Sequence, residues 1–221
     1  MIKFFQKLKA KKGFTLVELI VVIAIIGVLA AILIPTMLGY VTSSRVTSAN
    51  STAASIKNNI DTFLTNADTA GYGMKQGQSI NQAFTITITN TSNVGVWSVS
   101  APTTSNFKTG NPTISWSAAA TGSANQTKAG VTNATQLLAI ELGNLFPEIH
   151  SGSIYALLHA GKCVAVAYSA DLNTAMTVGT DCPNILTDSS GFQPTFSWDT
   201  KTAGVNSAGL IVGTAPAVQI G

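Results

Sequence analysis

Residues 19–34 read LIVVIAIIGVLAAILI, a run with no polar side chain. Extended back to Phe14, only Thr15 and Glu18 interrupt it. About 20 apolar residues make a helix roughly 30 Å long, the thickness of a bilayer core. Lys3, Lys7, Lys9, Lys11 and Lys12 precede the run, and Arg45 is the next basic residue after it. The positive-inside rule then puts the basic end in the cytoplasm and everything after Pro35 outside. A secretory signal peptide fits poorly, because the run exceeds a usual apolar core and the chain behind it continues as a helix.

That continuation is periodic. Ala49, Ala53, Ile56, Ile60 and Phe63 recur at spacings of 4, 3, 4 and 3, one face of an α-helix. Ser48, Ser51, Ser55, Asn58 and Asn59 occupy the other face. The pattern predicts one helix over about 14–66, apolar all round at first and amphipathic later, with a domain packed on the apolar stripe. Pro35 lies at the junction and lacks a backbone donor, so a kink or local melting is expected there. Gly27 and Gly39 add flexibility on either side.

Glu18 is the residue that needs explaining. A carboxylate inside a membrane span is costly, and it either protonates, snorkels to the headgroups or finds a cation. A cut before Phe14 would create an amino group one turn away on the same face. Gly13, small and directly before Phe14, suits such a cut.

The string KKGFTLVELIVVIAIIGVLAAILIP, residues 11–35, resembles the N-terminal signature of type IV pilins and pseudopilins. Gly13, Phe14, Glu18 and Pro35 match that pattern in place. The resemblance implies a leader over 1–13, a membrane and filament-core helix over 14–35, its amphipathic half over 36–66 and a head over 67–221. It implies cleavage between Gly13 and Phe14 by a prepilin peptidase, with N-methylation of Phe14. It implies a subunit that waits in the bilayer with its head outside and is drawn by a membrane assembly machine into a homopolymeric extracellular pilus. Glu18 would then pair with the Phe14 amine of a neighbouring copy and set axial register, a known use of buried ion pairs. The role expected is that of a major pilin. The alternatives are a pseudopilin of a secretion or DNA-uptake system and a pilin-type adhesin whose head binds carbohydrate.

Charge supports export over nucleic-acid binding. The net charge is +3, yet beyond residue 13 seven basic residues face nine acidic ones, a balance of −2. A weakly acidic body lacks the clustered basic surface that nucleic acid needs. The two cysteines, Cys163 and Cys182, form no CxxC, and His150 and His159 are the only histidines, so no metal site or cofactor is expected. In an exported chain a disulfide is the default, and two separate thiols the alternative. The bond would close a loop of about 20 residues, worth roughly 3 kcal/mol. That loop also resembles the disulfide-closed C-terminal region of many Gram-negative pilins.

The head reads as strands with one short helix. Residues 65–81 suggest a connecting loop. Phe84, Ile86 and Ile88 alternate with threonines, a half-buried strand. Residues 94–99 suggest a second strand, Ile114 and Trp116 a third, and 163–167 another, with weaker candidates at 192–198 and 210–212. Residues 117–128 look like an exposed loop. Residues 135–146 suggest a second helix ended by Pro147. The expected fold class is α+β, an antiparallel sheet laid on the later half of the long helix.

No catalytic pattern appears: GxSxG, the P-loop and metal-spaced His/Cys sets are all missing from the sequence. Glu141, Glu148 and His150 could face one site, though solvated or capping roles are the expectation. Asp171, Asp181 and Asp188 could line a calcium loop, but their spacing matches none. Trp97, Trp116 and Trp198 suit sugar stacking if exposed and core packing if buried, and burial is expected.

Overall fold

The structure is a computed structural model, and it describes residues 14–75, 82–101, 104–108, 114–187, 194–197 and 204–217. Chain contacts divide it into two units, residues 1–44 and 45–221. In the first, the described residues are Phe14, Thr15 and the opening of one long helix, α1 (Leu16–Thr69). Pro35 lies inside α1 and the helix runs through it, so the melting expected there does not occur. Thr36 Oγ1 instead donates to Leu33 O at 2.9 Å beside the proline.

In the second unit the rest of α1 presents Ala53, Ile56, Ile60, Phe63, Leu64 and Ala67 to a core. The apolar stripe read from the sequence is this face, with Ala49 half-buried at its start. Ile56, Ile60 and Leu64 lose nearly all their exposure. Each such side chain contributes roughly 1.5–3 kcal/mol, far more than helix propensity could.

The partner surface is a six-stranded sheet ordered β3-β2-β1-β4-β5-β8. Its strands are β1 (Gln82–Thr91), β2 (Val94–Ser100), β3 (Ala119–Ser123), β4 (Gly152–His159), β5 (Lys162–Ser169) and β8 (Gly213–Ala215). A separate hairpin joins β6 (Asn184–Thr187) to β7 (Pro194–Ser197). Every pairing is antiparallel, and the α+β arrangement is the one expected. Two-residue turns close two hairpins: Ser92 and Asn93 between β1 and β2, Ala160 and Gly161 between β4 and β5, all with positive φ. Such turns match the right-handed twist of the strands they join.

The second helix, α2 (Ala134–Leu145), begins at Asn133, whose side chain accepts bonds from Thr135 N and Gln136 N. These satisfy two of the orphan donors at a helix start. Its Leu137, Leu138 and Leu142 enter the same core as α1. Gly122 lets α2 settle on β3: a Cβ there would lie 2.5 Å from Ile140 N. The C-terminal segment meets α1 as tightly, since a Cβ on Gly213 would lie 2.1 Å from the Ala49 carbonyl carbon.

Three expectations are corrected. Ile114 and Trp116 form no sheet strand; Ser115 makes an isolated parallel bridge to Asn133 at the start of α2. The third strand is instead β3, inside the stretch read as an exposed loop. Its sequence, AATGS, is too small and polar to show alternation, and it joins the sheet because α2 packs on it. The last strand lies at 213–215, just past the expected 210–212, and Ile211 pairs only with Val205 in a bridge. β4 carried no expectation, because a strand buried on both faces shows no period of two.

Losing the Asn133 cap should cost about 1 kcal/mol. Asn133→Ala is therefore expected to lower the Tm of detergent-solubilised protein by about 2–4 °C, read by tryptophan fluorescence, with Asn133→Ser close to the parent.

Candidate functional site

The N-terminal half of α1 exposes a large apolar surface. From Phe14 to Val41, eighteen large apolar residues and Tyr40 are exposed, Phe14 at 81%. The helix is long and apolar enough to cross a membrane.

At the start of this surface Thr15 and Glu18 hydrogen-bond each other. Thr15 N donates to Glu18 Oε2 at 2.9 Å, and Thr15 Oγ1 donates to the same oxygen at 2.6 Å. Glu18 N donates back to Thr15 Oγ1 at 3.3 Å. This is a capping box, a Thr before the helix and a Glu three residues on. It starts α1 at Leu16 and ties down donors that would otherwise be orphaned in an apolar setting. Both side-chain bonds to Glu18 end on Oε2; Oε1 carries none among the described residues. The box is legible in the sequence as Thr15-Leu-Val-Glu18. Gly13 lies outside the described residues.

Residues 8–34 match the family described as the prokaryotic N-terminal methylation motif. The N-terminal segment of the chain is similar to those of type IV pilins. It is 42% identical over 74 residues to a fimbrial protein of Moraxella nonliquefaciens, covering 30% of this chain and 48% of the relative. It is 46% identical over 57 residues to the type IV major alpha-pilin of Moraxella bovis, covering 26% and 36%. It is 43% identical over 61 residues to the type IV major fimbrial protein FimA of Dichelobacter nodosus, covering 28% and 39%. The chain thus spans less than half the length of these curated relatives. No solved structure matches it.

The head departs from the expectation of a disulfide. Cys163 and Cys182 are separate, buried thiols. The reason is the face of β5 on which each one packs. Cys163 joins the core beneath α1 along with Val166 and Tyr168 of β5. Cys182 packs on the opposite face with Ala167, Met176 and Val212. The β4–β5 ladder slips by one residue at Leu157 and Leu158, so β5 changes face after Cys163, Cys163 and Ala167 end on opposite faces, and the sheet lies between the sulfurs. Each thiol bonds weakly to a carbonyl, Cys163 Sγ to Ala165 O and Cys182 Sγ to Thr177 O. Burial pushes both thiols up to about 12, aided by Asp181 for Cys182 and by Asp61, against Lys57, for Cys163.

The other head candidates resolve into structural roles. Trp97 is fully buried on β2. Trp116 stacks on Phe84 and Phe107, and its Nε1 donates to Tyr72 O at 2.7 Å. Neither presents a face to a sugar; Trp198 lies outside the described residues. The Glu141 carboxylate is held by Lys128. Asp181 Oδ2 accepts from Thr177 N at 2.9 Å and closes a turn. Burial raises the Tyr168 phenol, with Asp171 and then Glu148 adding to it. Asp188 lies outside the described residues, and among those described no three His, Cys, Asp or Glu side chains gather to hold a metal.

Two outcomes follow from the thiols. In native protein neither cysteine should react with maleimide, and both should react after unfolding, with no change of mass on reduction. Unfolded thiols ionise near 9.0 while the folded ones keep their protons to about 12. Their contribution to stability is therefore full below pH 9 and is lost as pH rises toward 12, which a denaturation series across that window would read.

Proposed function

We propose that this chain is the major structural subunit of a type IV pilus. It is cut between Gly13 and Phe14, methylated at the Phe14 amine and polymerised through α1. The observation that carries the reading is the exposed apolar helix, joined to a methylation motif over residues 8–34. A surface of that size is untenable in water, and two environments suit it: lipid before assembly and a bundle of like helices after. Residues 14–35 span the membrane, with the basic end inside and the head outside. The partners are further copies of the chain, a prepilin peptidase and a membrane assembly machine.

The Thr15–Glu18 box refines the role of Glu18. In the waiting subunit the carboxylate is held by its own chain, so it need not protonate or drag water into the bilayer. On assembly Oε1 accepts the Phe14 amine of a neighbour, and the cap can persist through Oε2. The charge sets register and the cap holds the carboxylate in place. Glu18→Gln tests this division, because Gln also completes a capping box. It should leave membrane levels intact yet cut recovery of sheared filaments by more than about a hundredfold, since an unpaired amine is left in a dry core. Wild-type yield from Glu18→Gln would refute the charge pairing.

The reading as a whole is tested by intact mass and N-terminal sequence of protein from sheared surface filaments. The expected chain begins at N-methylated Phe14. A chain still beginning at Met1, and found only in membranes, would overturn it.

A further inference from the structure

Four Asn-X-Ser/Thr triplets in which X is not proline occur in the chain, at Asn50, Asn90, Asn125 and Asn133. Such a triplet is the acceptor pattern for N-linked glycan transfer when it lies on an exposed segment outside the cytoplasm. The fold separates the four. Asn50 sits within α1, where its Oδ1 accepts from Thr214 N at 2.7 Å and Thr52 Oγ1 is bonded to Ser48 O. Asn133 caps α2, and the Thr135 of its triplet is fully buried with its hydroxyl on Ser117 O. Asn90 is paired with Gly95 in the β1–β2 ladder, and its Oδ1 accepts from Asn93 N.

Asn125 is different. Asn125, Gln126 and Thr127 are all exposed and belong to no helix or strand. Asn125 has φ 65° and is the third residue of a turn closed by Gln126 N donating to Ser123 O at 3.2 Å. Asparagine tolerates that conformation better than most residues. The turn is held by other side chains. Asn144 Oδ1 accepts from Asn125 N, and Asn144 Nδ2 donates to Gln126 O at 3.1 Å. Gln126 Oε1 accepts from Ser123 N at 3.0 Å. The Asn125 carboxamide makes no hydrogen bond among the described residues. The backbone of the turn is fixed while its one reactive amide is left free in solvent.

We infer that Asn125 is an acceptor for an N-linked glycan. The donor is a glycan on a polyprenyl pyrophosphate, used by an oligosaccharyl transferase on the outer side of the membrane. Asn125 Nδ2 gives one proton to a base of that enzyme and forms a bond to the anomeric carbon. The bond from that carbon to the pyrophosphate oxygen breaks, and the polyprenyl pyrophosphate leaves with the electron pair. No oxidant or reductant is involved. The inference rests on the proposed export of the head.

Trypsin supplies the test, because cleavage after Lys108 and Lys128 releases residues 109–128, which hold the Asn125 triplet and none of the others. That peptide is mass-measured from sheared filaments and from membranes of the native host. The expected result is a mass increase equal to a set of sugar residues, lost in Asn125→Asp and Thr127→Ala and kept in Thr127→Ser. Asp also tolerates the positive φ, so Asn125→Asp should fold. An unmodified peptide from filament-borne protein would overturn the glycan and leave the pilus reading intact. Sugar that survives Asn125→Asp would overturn it too, placing the modification on a hydroxyl. An uncut chain absent from the filament fraction, with the peptide unmodified, would overturn both.

Discussion

Burial of one stripe of α1, from Ala53 to Ala67, is the contact on which the head depends. Strands β1, β4 and β5 all turn apolar side chains to the core that this stripe fills. The same helix carries a second demand, because its first half is apolar on every side. One element therefore serves two solvents. Its amphipathic part is stabilised by a sheet of its own chain, and its apolar part is long and apolar enough to cross a membrane.

Hydrogen bonds reinforce the first contact where apolar packing gives no direction. Asp61 Oδ1 accepts from Cys163 N at 3.1 Å, and Asn50 Oδ1 accepts from Thr214 N at 2.7 Å. These side chains, eleven residues apart on α1, hold the backbone of β5 and the backbone of β8. Near β8, Asn206 binds Ala208 N and Leu210 N through its Oδ1. Ser169 Oγ donates to Ile211 O. The C-terminal segment is thus fastened by a set of ordinary hydrogen bonds.

Thr15 and Glu18 show how a costly group can be tolerated. A lone carboxylate in a bilayer demands a partner, and the helix start offers donors that demand an acceptor. Placing the carboxylate three residues after the threonine lets each need meet the other. The resulting cap is local and engages one of the two carboxylate oxygens.

Much of this was legible in the sequence. The unbroken apolar run, the lysines before it, Glu18 at a fixed offset and the 4-3-4-3 stripe each act through local spacing, so they determined the long helix, its two characters and its pilin likeness without reference to anything distant. The strand of Phe84, Ile86 and Ile88 was equally plain, because one of its faces is fully buried and the other half-exposed. What only the tertiary structure decided depends on faces and neighbours. β4 is covered on both sides and shows no alternation, β3 is a strand only because β2 and α2 flank it, and Trp116 is core rather than strand because its ring lies among Phe63, Phe84 and Phe107. The two cysteines could be counted from the sequence, but the sheet that separates them could not, since which face a residue takes is set by register and a bulge at Leu157 and Leu158 shifts that register within the same pair of strands.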